Sequence, residues 1–468
     1  MNYREQIDKY FDKHWFEMMR DIARMVAINS EKMPAEEGMP FGKGPYEALQ
    51  EFLEMAKEHG FSPKNYDNYV GAIDLNDKEK QLDILAHLDV VPAGEGWTVT
   101  DPFEAIIKDG KIYGRGTADD KGPAVVAMYA MQCVRDLGIE LKKNARLIVG
   151  TDEECGSGDI PHYYAVEEEA PMTFSPDAEY PVINIEKGSI HPQFRASWPE
   201  ESALPRVTEI HGSLKVNVLP GKARAAVEGL SLKAMEEIAQ EIGEKTKMHY
   251  ELEQDGGLVR ITAVGKGAHA ASPEEGNNAL TGLIEYLLAL PLAESEAVRK
   301  LESLKKLYPH GDSQGKALGV AMRDEVSGAL TLCFSMLDFG LTGFVGQFDC
   351  RAPLCANNEN MRDVAEKNLA AEGIIMDHDD MSAPHHVPGD SAFVKELLKV
   401  YEKYTGQKGE CIAIGGGTYV HHLKNGVAFG CSMPGTDNKM HGADEFAVIE
   451  ELIISAKIFA QVIIDLCA

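Results

Sequence analysis

Apolar residues at helical spacing open the readable pattern of this chain. From Tyr46 to Gly60, Leu49, Phe52, Leu53 and Ala56 recur at i, i+3, i+4 and i+7, which predicts an amphipathic helix that Gly60 stops. Leu82 to Val91 is a short apolar run broken by His87 and Asp89, and Ala145 to Gly150 is a second that runs into acidic residues. Both read as buried strands. Between them Lys121 to Leu137 has helical spacing, so the order strand, helix, strand predicts a βαβ unit in a mostly parallel sheet. In open sheets of this class, functional groups collect outside the carboxyl ends of the strands.

The middle of the chain changes pattern. Leu214 to Val218, Leu258 to Val264 and Gly328 to Leu337 alternate like strands, and Leu232 to Glu244 is helical, which predicts an α+β insert over 187–381. Residues 1–186 and 382–468 then form one discontinuous domain around it. In the closing part Asp390 to Tyr404 reads as a helix, Gly415 to Gly417 as a tight loop, and Ala447 to Leu466 as an apolar closing helix.

Composition narrows the function. The 468 residues carry 46 Lys and Arg against 75 Asp and Glu, and a net charge of −29 argues against nucleic acid or an anionic membrane as partner. The opening residues mix charged and apolar types with no secretory pattern, and no later segment reaches the roughly 18 uninterrupted apolar residues of a membrane span. Eight cysteines lack metal-type CxxC spacing, as expected of reduced thiols in a cytoplasmic enzyme.

Acids and imidazoles stand out in apolar surroundings: His87-Leu88-Asp89, Asp119-Asp120, Glu153-Glu154, Asp177 and His441. Each has a plainer reading alone: a satisfied core histidine, a helix N-cap or a solvated acidic turn. Together they need compensation, because burying a carboxylate costs several kcal/mol unless a cation or full hydrogen bonding offsets it. Imidazole nitrogen and carboxylate oxygen suit Zn²⁺, and also Mn²⁺ or Co²⁺. Residues i and i+2 of a strand share a face, so Asp89 is placed to orient the His87 ring.

In order and spacing these clusters resemble the aminoacylase, carnosinase and succinyl-diaminopimelate desuccinylase family of dinuclear metallopeptidases. The resemblance implies that His87 and Asp177 hold one metal, that Glu154 and His441 hold the other, and that Asp119 bridges them. It further implies Glu153 as general base, Asp89 as the orienter of His87, and a cis peptide between Asp119 and Asp120. Motifs around Asn217, His269 and Arg351 resemble those of the family's second domain, and with Gly416 they are the implied substrate contacts. The implied fold is α/β, a zinc-peptidase-like catalytic domain interrupted by an α+β lid. The insert, about 195 residues long, is similar to the long lid of bacterial dipeptidases of Xaa-His dipeptidase or carnosinase type, which implies two ferredoxin-like halves and a self-sufficient monomer. Tyr308-Pro309-His310-Gly311-Asp312 adds to that likeness, whereas His385 and His386 match no motif. The expected function is metal-dependent hydrolysis of small peptides with free termini, with N-acyl amino-acid deacylation as the alternative.

Overall fold

Three apolar runs, Lys80–His87, Asn144–Gly150 and Met172–Ser175, lie side by side as parallel strands in the computed structural model, which describes residues 3–468. The first two residues of the opening segment lie outside the described residues. Consecutive apolar positions, with no alternation, suit strands covered on both faces. Gly426–Ala428 adds a fourth parallel strand beside Met172–Ser175. Val70–Asp74 and Lys64–Tyr66 extend one side antiparallel, and Val182–Glu186 pairs antiparallel on the other. The expected parallel sheet is thus its centre, and its flanks are antiparallel. Helix Lys121–Asp136 connects the first two parallel strands and completes the predicted βαβ unit. It packs on them together with the closing helix Ile449–Cys467.

The chain divides into two compact units. One takes the chain as far as Ile185, then His386–Ile412 and Gly417–Ala468; the other is Glu186–His385 with Ala413–Gly416. The second unit is built on one antiparallel sheet in the order His249–Asp255, Leu258–Val264, Lys222–Glu228, Arg206–His211, Thr331–Gly340, Gly343–Ala352, Gln193–Ser197 and Ile375–Met376. Helices Leu232–Thr246, Ala279–Ala289 and Glu296–Leu307 begin at Ser231, Asn278 and Ser295, whose side chains accept N–H groups of the first turn. The strand expected over Leu214 to Val218 shrinks to Val218–Leu219. Leu214 is 94% exposed, so the apolar alternation there belongs to a surface loop.

One long helix, Arg4–Val26, was not among the expected elements, although Ile7, Phe11, Met18, Ile22 and Met25 form its buried stripe. It carries a buried polar tie. Asp21 is fully buried and accepts hydrogen bonds from Tyr129 Oη (2.7 Å) and His59 Nε2 (2.8 Å), joining three helical segments. The hydrogen bond to Asp21 raises the His59 ring above its ordinary pKa; burial works to raise the Asp21 carboxyl, and the bonds from His59 and Tyr129 overcome it. Removing the carboxylate strands both partners, so Asp21→Ala is expected to destabilise by about 3 kcal/mol. A raised histidine pKa contributes stability that is complete below about 6.5 and is lost as pH rises through the folded value. The Asp21 contribution is lost only in acid, below its own unfolded value of about 3.9. The penalty of Asp21→Ala is therefore expected to be larger at pH 6 than at pH 9, read as the shift of the urea midpoint; equal shifts would show that His59 binds no extra proton on folding.

Candidate active site

The parallel strands deliver their chemistry at one end. His87 is the last residue of its strand and lies level with Gly150, so the chain leaving Gly150 places Thr151 to Glu154 beside it. Asp177 follows Met172–Ser175 by two residues. Asp119 comes from the loop before helix Lys121–Asp136, and His441 from the loop before strand Phe446–Val448.

These residues meet. Asp119 Oδ1 is 3.0 Å from His87 Nε2 and its Oδ2 is 2.9 Å from His441 Nε2, so one carboxylate faces both imidazoles. Glu154 Oε1 lies 3.3 Å from His441 Nε2, and Asp177 Oδ2 lies 3.5 Å from His87 Nε2. Ligand-capable atoms of His87, Asp119 and Glu154 all fall within 4.8 Å of one another, as do those of His87, Glu153 and Asp177. His87 Nε2 and Glu154 Oε1 are buried with no hydrogen-bond partner. Orphaned imidazole and carboxylate atoms in one volume fit a divalent cation, which such N and O donors satisfy. His385 and His386 join no such grouping among the described residues.

Asp89 meets His87 chiefly through its main chain. The His87 Nδ1 atom lies 3.0 Å from the Asp89 backbone oxygen and 3.5 Å from its carboxylate, so the main-chain carbonyl makes the closer contact. The carboxylate instead accepts the backbone N–H groups of Glu153 and Glu154, each at 3.1 Å, and so holds the turn Glu153–Cys155. Asp120 occupies the N-cap position of its helix but makes no side-chain capping bond; its Oδ2 accepts the His87 N–H at 3.0 Å. The Asp119–Asp120 peptide is cis. Gly116 takes φ 90°, and a Cβ there would sit 2.8 Å from Lys121 Cδ, so the loop requires glycine.

Burial dominates the electrostatics. It pushes Asp120 and Glu153 well above the ordinary carboxylate range, with the nearby Asp177 adding to both, and it takes Asp177 up to about 7, helped by Asp119. Burial works to raise Asp119 too, but the imidazoles of His441 and His87 close to its oxygens hold it low. The nearby carboxylates of Asp119 and Glu154 push His441 up to about 11.

Two supports escaped the sequence reading. Asp159 accepts the N–H groups of Thr151 (2.6 Å) and Asp152 (3.0 Å) and the hydroxyl of Tyr419, whose ring meets His87 edge-on. Glu445 holds the Asp119 loop. The only signal for either was an acid near a motif, since their partners are main-chain amides.

In the second unit, Val218 pairs with His269 across a two-stranded ribbon, which sets Asn217 beside that turn; Ala270 N donates to Asn217 O at 2.9 Å. His269 Nδ1 accepts the Ala271 N–H at 3.2 Å, so the ring proton belongs on Nε2. Arg351 donates from Nε (2.6 Å) and Nη2 (2.8 Å) to the buried Asp349 and from Nη1 (2.8 Å) to Gly415 O, leaving one N–H on each terminal nitrogen. Gly416 follows in that loop.

Comparison with known proteins gives a consistent result. Residues 84–465 match peptidase family M20/M25/M40. The chain is 36% identical to a putative dipeptidase, YtjP, of Bacillus subtilis (strain 168) over 456 residues, covering 96% of this chain and 97% of the other. It is 35% identical to the Beta-Ala-Xaa dipeptidase of Lactobacillus delbrueckii subsp. lactis, with 96% of each chain covered. Human carnosine dipeptidase 1 shares the fold with a TM-score of 0.61 at 16% identity, covering 100% of this chain and 99% of that one. No helix of the described residues is long and apolar enough to cross a membrane.

The packing behind the acidic turn is checked at Gly150. A Cβ there would fall inside contact distance of Tyr419 Oη and Asp159 Oδ2. Gly150→Ala is expected to cost about 1–3 kcal/mol by overpacking and to lower turnover. Adding Tyr419→Phe removes one colliding atom, so the double variant should recover part of the loss in thermal midpoint; strict additivity would show that the two sites do not meet.

Proposed function

The chain belongs to peptidase family M20/M25/M40 and is a peptide-bond hydrolase, and from that premise we propose that it is a dinuclear metal-dependent dipeptidase acting on small peptides with free amino and carboxyl termini. The observation that carries the reading is Asp119, whose two oxygens face one imidazole each. His87 and Asp177 would hold one ion, Glu154 and His441 the other, and Asp119 would serve both. When bound, two divalent ions, zinc before manganese or cobalt, polarise the scissile carbonyl and acidify water.

Glu153 takes the proton from the attacking water on its carboxylate and returns it to the leaving amine. Asp89 keeps that carboxylate in place by holding the N–H groups of the turn. His269, protonated at Nε2, donates to the oxyanion, a contact typically worth about 3–4 kcal/mol. Arg351 offers its two remaining N–H groups to the substrate carboxylate, Asn217 and Gly416 line the substrate, and the chain works as a monomer. N-acyl amino-acid deacylation is the competing reading, and a free dipeptide assayed beside its N-acetylated form separates the two.

Glu153→Ala is expected to retain both ions and lose about 10²–10⁴-fold in turnover. Metal analysis alongside kinetics decides it, because full activity or a lost ion would exchange the roles of Glu153 and Glu154. Arg351→Lys keeps the charge but loses the planar donor set, so KM for a free dipeptide should rise about tenfold or more. Amidating the substrate carboxylate should have the same effect on the unaltered protein, and equal cleavage of amide and acid would remove Arg351 from substrate recognition.

A further inference from the structure

Glu445 is fully buried four residues beyond His441. Its Oε1 accepts the backbone N–H groups of Gly116 (3.0 Å), Ala118 (3.1 Å) and Asp119 (3.3 Å), and its Oε2 pairs with Arg115 Nη1 at 2.5 Å. Its own backbone carbonyl takes the Gly114 N–H at 3.0 Å. These partners all belong to the loop that presents Asp119. Strand pairing explains the meeting: Phe446, Ala447 and Val448 lie opposite Tyr113, Ile112 and Lys111, so Glu445 sits where the two loops leave a shared ribbon. Its neighbour Asp444 clamps a different segment, accepting Thr98 N (2.8 Å), Val99 N (2.9 Å) and Thr98 Oγ1 (2.7 Å). The segment that carries His441 is therefore tied by consecutive acids to two other loops, and only the Glu445 tie leads to Asp119.

We propose that Glu445 is a positioning residue that fixes the separation of Asp119 and His441, so that the two side chains share one ion. This rests on the reading of Asp119 and His441 as ligands. A carboxylate is required because three amides and a guanidinium converge on it. Glutamine keeps a carbonyl oxygen for the amides, but its NH₂ then meets Arg115 donor to donor. Without the tie, the Asp119 loop loses its side-chain anchor on the His441 segment, and neither side chain is held at the distance an ion demands.

The test uses the full chain, stripped with a chelator and titrated with Zn²⁺ by calorimetry and with Co²⁺ by its visible absorption. Glu445→Gln is expected to bind the ion of the Asp119 and His441 pair about 10–100-fold more weakly, in the range seen for outer partners of metal ligands, and to alter the Co²⁺ spectrum. Its activity on a free dipeptide should recover at raised metal concentration, with KM unchanged. A role confined to stability predicts instead a smaller folded fraction with the original affinity and spectrum, and that result overturns the proposal. Should Glu445→Gln fail to fold, Glu445→Asp, which keeps the charge and withdraws the oxygens by one methylene, carries the same measurement. His441→Ala is run alongside. If it loses an ion and both Glu445 variants do not, the positioning role alone falls; if it also binds two ions as tightly as the unaltered chain, the ligand reading is at fault and the proposal falls with it.

Discussion

Four carboxylates, those of Asp119, Glu153, Glu154 and Asp177, converge at the carboxyl ends of parallel strands with the imidazoles of His87 and His441. Like charges at such separations cannot all persist in a buried volume without a cation or added protons. Everything around the cluster answers to that constraint. The helix that begins at Lys121 turns its N-terminal end toward Asp119 and Asp120, which is the favourable polarity for anions. The buried Lys121 donates from Nζ to Ile28 O at 2.6 Å, which anchors the start of that helix, and burial lowers its pKa to about 7.

A second set of acids shows how the first is held. Asp89 takes two amides of the Glu153 turn, Asp159 takes the two amides before it, Asp120 takes the amide of His87, and Glu445 takes three from the Asp119 loop. Each spends at least one oxygen on main-chain donors and so contributes rigidity to the loops. The inner atoms His87 Nε2 and Glu154 Oε1 have no such partner. The two sets are separated by place: ligand-capable atoms of His87, Asp119 and Glu154, and of His87, Glu153 and Asp177, gather within 4.8 Å of one another, and sequence spacing alone does not show which acids do so.

Much of the fold was legible for a physical reason. Lys121–Asp136 and Asn144–Gly150 are runs whose burial shows directly in their composition, and His87, Asp119, Glu153, Glu154, Asp177 and His441 stand at strand or helix ends where polar residues in apolar context are costly and so conspicuous. The helix Arg4–Val26 was also written in its Ile7, Phe11, Met18 and Ile22 stripe. The supporting acids were not legible. Glu445 and its amide partners lie 326 or more residues apart, and a bond to an amide leaves no mark on the residue that donates it. Leu214 failed in the opposite sense, an exposed apolar side chain that imitates a strand.

Arg351 shows how the same logic bears on selectivity. Asp349 is fully buried, and although burial works to raise its carboxyl, hydrogen bonds from His191 and Arg351 keep it low and ionised. The guanidinium is thus half of a neutral pair before any substrate arrives. An incoming carboxylate gains less from net charge than it would at an isolated arginine, and more from the direction of the N–H groups that Asp349 and Gly415 leave over. An anion of the wrong shape meets the field of Asp349 along with that of Arg351, and a planar carboxylate aligned with the remaining donors avoids most of it. On the proposed reading, in which Arg351 meets a substrate carboxylate, discrimination follows geometry ahead of charge, and the net charge of −29 adds no attraction for such a group.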